Sequence, residues 1–128
     1  MSYYFKKETN LSFEDAEKKV REDLQKEGFG VLTEIDVKET LKKKLDVDFK
    51  PYKILGACNP PFAYKALQAE DQIGLMLPCN VVVQENSAGK IVVSAIDPVA
   101  SMTAVDNDNL KPVALEVQAK LKKVIESL

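Results

Sequence analysis

The chain has 128 residues, 45% hydrophobic and 30% charged, and a formal net charge of -2 from 18 basic and 20 acidic residues. That balance suits one globular domain over residues 1–128 and excludes wholesale disorder. It gives no field of one sign to attract nucleic acid or an anionic membrane, and the absence of His and Trp removes histidine-dependent nucleophile and metal sites and weakens any base-stacking platform.

In chain order, Tyr3 to Lys7 reads as a first strand. Ser12 caps the helix that follows, in which Phe13, Ala16, Val20 and Leu24 recur at helical spacing as one apolar stripe. Gly28 ends that helix in left-handed backbone. Gly30 to Val37 is the next strand, with Val31, Thr33, Ile35 and Val37 on one face by strict alternation. Asp36 and Glu39 start a short helix in which Leu41 and Leu45 stack one turn apart. The run Lys42-Lys43-Lys44 lies beside Asp46 and Asp48 and reads as a solvated face.

Lys53 to Cys58 forms a third strand. Asn59-Pro60-Pro61 starts a short helix through Leu67, with Asn59 as its cap. Gly74 to Gln84 and Lys90 to Ile96 form a hairpin turned through Glu85–Gly89. Leu75, Leu77, Cys79, Val81 and Val83 share one face of it. Asp97-Pro98 repeats the cap-then-proline pattern. Asp106–Asn109 caps the last helix, whose buried stripe is Leu110, Ala114, Val117, Leu121, Val124 and Leu128.

Five strands and two main helices imply an α+β domain. The expected form is a curved antiparallel sheet of about five strands with both helices on one face. The other face must then be solvated, paired with a second copy, or lined for a ligand. The N-terminal residues show no basic leader before an apolar run, so no signal peptide is expected. No apolar stretch approaches the roughly 18 residues of a membrane helix. Two cysteines without a signal point to a reducing cytoplasm.

Residues 53–98 resemble a bacterial and archaeal family, the domain of unknown function 302. The likeness rests on Ile54-Leu55-Gly56-Ala57-Cys58-Asn59-Pro60, on Ala69 and Gly74-Leu75-Met76-Leu77-Pro78, and on Val81-Val82-Val83, Gly89-Lys90-Ile91-Val92-Val93 and Asp97-Pro98. It extends more weakly over the whole chain. The resemblance implies a β-α-β4-α arrangement like that of the TATA-binding protein, and no established activity. It also implies that thiol chemistry belongs to one branch, because other branches carry glycine and leucine-type residues where Cys58 and Cys79 stand.

The candidate ligand-binding residues are Cys58, Asn59, Cys79, Asn80 and Asp97. Cys58 ends one strand and Cys79 lies near the start of the next, so antiparallel pairing would bring the thiols close. A reactive pair would suit a reversible disulfide, a persulfide or a soft metal. Against that, Cys79 alternates with Leu75, Leu77, Val81 and Val83, the pattern of a core thiol. Two thiols are only half of a structural zinc set, so neither a metal nor a cofactor is expected. Asn80 sits mid-strand, where Asn is disfavoured, and points away from Cys79. Asp97 is most simply a cap. Glu34, Asp36 and Tyr64 could act as acid or base, but no spacing singles them out, and whether the chain is an enzyme stays open. The expectation is a small cytoplasmic domain, a homodimer, that binds a small molecule or a partner near Cys58 and Cys79. A thiol redox or sulfur-handling protein is the alternative.

Overall fold

The computed structural model describes residues 2–128. Helix α1 (Phe13–Lys26) begins where Ser12 Oγ accepts the Asp15 N–H at 3.1 Å, with Glu14 and Asp15 in the first turn. It ends at Glu27, and Gly28 follows at φ +88, a backbone that favours glycine. Its stripe of Ala16, Val20 and Leu24 is fully buried. The second long helix, α5 (Lys111–Glu126), buries Ala114, Val117, Leu121, Val124 and Ile125. Leu128 is only partly buried and Ile125 takes its place in the core.

Five strands form one antiparallel sheet in the order β1-β5-β4-β3-β2. They are β1 (Tyr4–Thr9), β2 (Gly30–Asp36), β3 (Tyr52–Cys58), β4 (Cys79–Glu85) and β5 (Ile91–Ile96). Helices α1 and α5 pack on each other and on one face of the sheet. The residues pointing at them are Leu55, Ala57, Val81, Val83, Val93 and Ala95, each almost wholly removed from water. Fully burying a Leu or Val side chain contributes about 1.5–3 kcal/mol, so this layer is the main source of stability.

Charge pins the margins of the layer. Asp23 is 4% exposed. Burial alone would raise its pKa, but hydrogen bonds from Lys19 and Ser127 and the charges of Lys19 and Lys26 hold it below the ordinary value. The Ser127 contact fastens the end of α5 to α1. On the other side, Lys53 Nζ lies 2.8 Å from Glu17 and 3.2 Å from Glu34, tying α1 to β2 and β3.

Several elements differ from the sequence pattern. Thr33 pairs with Gly56 whereas Val31 pairs with Ala57, a register shift at Leu32. That bulge puts Val31 and Thr33 on opposite faces, against strict alternation. Helix α2 (Val37–Leu45) is capped by Asp36 on the Glu39 N–H, yet it buries nothing and Leu45 is 66% exposed. Gly74–Met76 belongs to a 3-10 turn (Asp71–Met76), and β4 starts only after Pro78. Leu75 therefore projects into solvent, and Ile73 is the buried residue of the turn. Asn107 caps a second 3-10 turn (Asp108–Leu110), and α5 begins one residue later with Pro112 in its first turn. Helix α3 (Pro60–Ala69) and the short α4 (Pro98–Ser101) complete the chain. No helix among the described residues is long and apolar enough to cross a membrane.

The bulge depends on Gly56. A Cβ there would collide with Thr33 Oγ1 and lie 2.7 Å from Pro78 Cγ. Gly56→Ala is expected to lower unfolding free energy by about 2–3 kcal/mol, and Thr33→Ala in the same chain to recover part of it. Urea denaturation measures both; an unchanged midpoint for Gly56→Ala would remove this account of β2.

Candidate functional site

An apolar cavity of about 300 Å³ opens beneath α3 where β3 ends and β2 and β4 begin. Register places its floor. Ala57 stands opposite Cys79 and Gly56 opposite Asn80 across β3 and β4. The walls come from Leu32 and Thr33 of β2, from Phe62, Ala63 and Ala66 of α3, and from Val113 and Val117 of α5. Helix α3 presents alanines where larger side chains would fill the space. That small-residue run is the sequence signal for the cavity, and chain-order reading did not use it. Phe29, Leu77, Pro98 and Met102, also at the wall, carry no such signal.

The structure brings together three of the five candidate residues. Cys58, Asn59 and Cys79 all line the cavity. Cys58 and Cys79 are diagonal neighbours, because Cys79 faces Ala57 and Cys58 faces Gly30. Burial pushes the Cys79 thiol up to about 11, and the nearby Cys58 adds to the rise. Cys79 is thus a neutral thiol at physiological pH, a poor nucleophile.

Asn59 occupies the cap position of α3 but makes no capping hydrogen bond. Pro61 removes the N2 N–H, one of the two that a cap would bind. Its Nδ2 instead donates to the Glu27 carbonyl at 3.0 Å, joining the start of α3 to the end of α1. Asn80 is on the opposite face of the sheet, exposed. Asp97 ties three elements together. Its Oδ1 accepts the Val99 N–H at 3.0 Å and Gln118 Nε2 at 3.0 Å, and its own N–H donates to Tyr3 O at 2.8 Å. Its neighbour Pro98 reaches the cavity wall.

No charged side chain lines the cavity. The lining residues with polar side chains are Thr33, the two cysteines and Asn59, whose amide already bonds the Glu27 carbonyl. Such a lining offers shape and apolar contact, not charge. Beside the cavity, the Lys65 and Lys120 ammonium groups lie 5.5 Å and 5.9 Å from the centroid of the Phe62 ring. Among the described residues, no three His, Cys, Asp or Glu side chains converge as a metal site.

The uncovered face of the sheet is a second, shallower hollow of about 490 Å³. Tyr4, Lys6 and Glu8 of β1, Tyr52 of β3, Asn80, Val82 and Gln84 of β4, and Val92, Ser94 and Ile96 of β5 line it. Ile35, Ile54 and Val82 lie side by side across three strands there.

Residues 5–128 match the family model described as a domain of unknown function, DUF302. No curated protein matches the chain. A solved structure, that of an uncharacterized conserved DUF302 protein from Bacillus stearothermophilus, superposes with a TM-score of 0.92. The two are 27% identical, and the alignment covers 98% of each chain.

The raised pKa of Cys79 has a direct readout. Relative to an ordinary thiol at 9.0, a value of about 11 lowers the thiolate fraction at pH 8 about a hundredfold. In Cys58→Ser, the remaining thiol is expected to react with a chromogenic disulfide at least that much more slowly when folded than in denaturant. Fast reaction of the folded variant would show Cys79 to be accessible and ionised. Folded-state protonation also makes Cys79 stabilising below pH 9, and its contribution is lost as pH rises toward 11.

Proposed function

The chain belongs to the DUF302 family, whose description assigns no activity, and from that premise we propose that it is a homodimeric binding module for a small apolar ligand. The observation that carries the reading is the cavity under α3: about 300 Å³, walled by apolar side chains and free of charged ones. Its size falls at the lower end of the range for small-molecule sites. Cys58, Asn59 and Cys79 serve as wall, the thiols as soft apolar surface and Asn59 as the brace that keeps α3 in place. Asp97 acts from behind by holding Pro98 and α4. This assignment favours binding over thiol chemistry, since Cys79 is a buried neutral thiol and the two cysteines are diagonal in the sheet. Unpaired thiols suit a reducing compartment such as the cytoplasm.

Dimerisation rests on the uncovered face. A two-fold contact uses the same patch on both subunits, so the patch must complement itself. Lys6 and Glu8 project from that face two residues apart on β1. Lys6 makes no ion pair among the described residues. A two-fold axis lying across the strands sets Lys6 against the partner's Glu8, with the Ile35, Ile54 and Val82 row between the sheets.

Two experiments test the reading. Freshly purified protein in native mass spectrometry is expected to retain an organic molecule or to bind a fluorescent apolar probe. Ala63→Phe, which fills the cavity, should weaken that binding at least tenfold while the circular dichroism spectrum stays unchanged. Equal binding by the variant would place the ligand elsewhere. For the dimer, light scattering should give twice the subunit mass. Lys6→Glu and Glu8→Lys are each expected to weaken association, since like charges at an interface cost several kcal/mol, and the double swap to restore it. A wild-type monomer at high concentration would rule the dimer out.

A further inference from the structure

A second apolar cavity, also about 300 Å³, adjoins the first. Val99, Val105, Leu110 and Leu115 form much of its wall. Met102 and Ala114 line both cavities. Both cavities lie against the start of α5 and the turn before it: Leu110, Lys111, Ala114 and Leu115 border the second, and Val113, Ala114 and Val117 the first. The only side chain at the junction with several free torsions is Met102, half-buried at the end of α4. Methionine is unbranched and adapts readily to irregular space. Elsewhere on the wall of the first cavity is Phe62, over which Lys65 and Lys120 stand. Lys65 makes no ion pair among the described residues, and Lys120 approaches Glu27 only to 3.9 Å.

We infer that the two cavities are one elongated channel with Met102 as its internal gate, and that it takes a single-chain anionic amphiphile. The acyl chain runs along α5 past Met102, and the carboxylate lies at the rim near Lys65 and Lys120. This inference rests on the ligand-binding reading above and specifies the ligand class. A chain is favoured over a compact ring because the two mostly apolar cavities adjoin and share Met102 and Ala114. An anion is favoured because Lys65 and Lys120 stand beside Phe62 of the first cavity, the Lys111 that borders the second is paired with Asp108, and no carboxylate lines either cavity.

The test is displacement of a bound fluorescent apolar probe by hexanoate, octanoate and decanoate, below their micelle concentrations. Wild-type affinity is expected to rise about fourfold per added methylene across the series. Met102→Phe, which leaves a rigid ring at the junction, should stop that rise after hexanoate. Met102→Ala should keep it. Decanoate should bind more tightly than decanol at low salt, and Lys65→Gln should narrow the difference. A wild-type series that is flat beyond hexanoate, or a Met102→Phe series as steep as wild type, overturns the channel while probe binding still supports the single cavity. Equal binding of decanol and decanoate overturns the anionic headgroup. If neither the probe nor any carboxylate binds, the ligand-binding reading itself falls.

Discussion

The missing side chain at Gly56 is the constraint on which the site depends. Thr33 of β2 and Pro78, just before β4, both close onto that glycine, into space that a Cβ would occupy. On one side, the contact accompanies the bulge at Leu32 and so decides which residues of β2 meet the helices. Val31 joins the core, Leu32 turns to the cavity, and Glu34 reaches Lys53 and Arg21. On the other side, Pro78 sits at the point where β4 begins. The register that follows puts Cys79 opposite Ala57 and Asn80 opposite Gly56. One close approach therefore links the edge of the sheet, the start of β4 and the cavity floor.

The cavity itself follows from unequal coverage. Helices α1 and α5, 14 and 16 residues long, fill the middle of the sheet with Val and Leu side chains. Where β3 ends and β2 and β4 begin, their place is taken by α3, which is shorter and offers Ala63 and Ala66. Small residues under a braced helix leave room, and the brace is the Asn59 bond to the α1 terminus. Close packing elsewhere makes such a void stand out, since interiors rarely leave unfilled space beyond a water's size. The same braced geometry explains why Asn59 is buried although it makes no capping bond.

Thiol chemistry and ligand binding make different demands. A reactive thiol needs access and a stabilised thiolate. Cys79 has neither: it is 8% exposed and its ionisation is opposed by burial. A ligand wall needs only shape and low polarity, and Cys79 provides both. The opposite face of the sheet has a different character, mixing β-branched side chains with Tyr, Asn, Gln, Lys and Glu. That composition belongs to a surface that meets either water or another polar-rimmed surface.

Much of the fold was legible in the residues alone. Ser12, Gly28, Asp36 and Asp97 each mark a helix end by local chemistry, and the Val-rich strands of the hairpin declare their inward face by alternation. These signals work because capping and pleating are short-range, so a few neighbouring residues carry them. The α+β class, the five strands and the two long helices follow from the same local periods. Tertiary structure decided the rest. The bulge at Leu32 depends on Gly56, 24 positions away in the chain. The 3-10 turn at Asp71–Met76 displaced the expected first part of β4 because Ile73 finds a pocket among Ala66 and Leu110. Asn59 braces Glu27 instead of capping its own helix, a choice set by a partner 32 residues distant. Of the two Cys-Asn dipeptides, one contributes both residues to the cavity and the other is divided between the two faces of the sheet. Sequence spacing places such residues on elements; only the register of strands and the docking of helices determines which of them share a space.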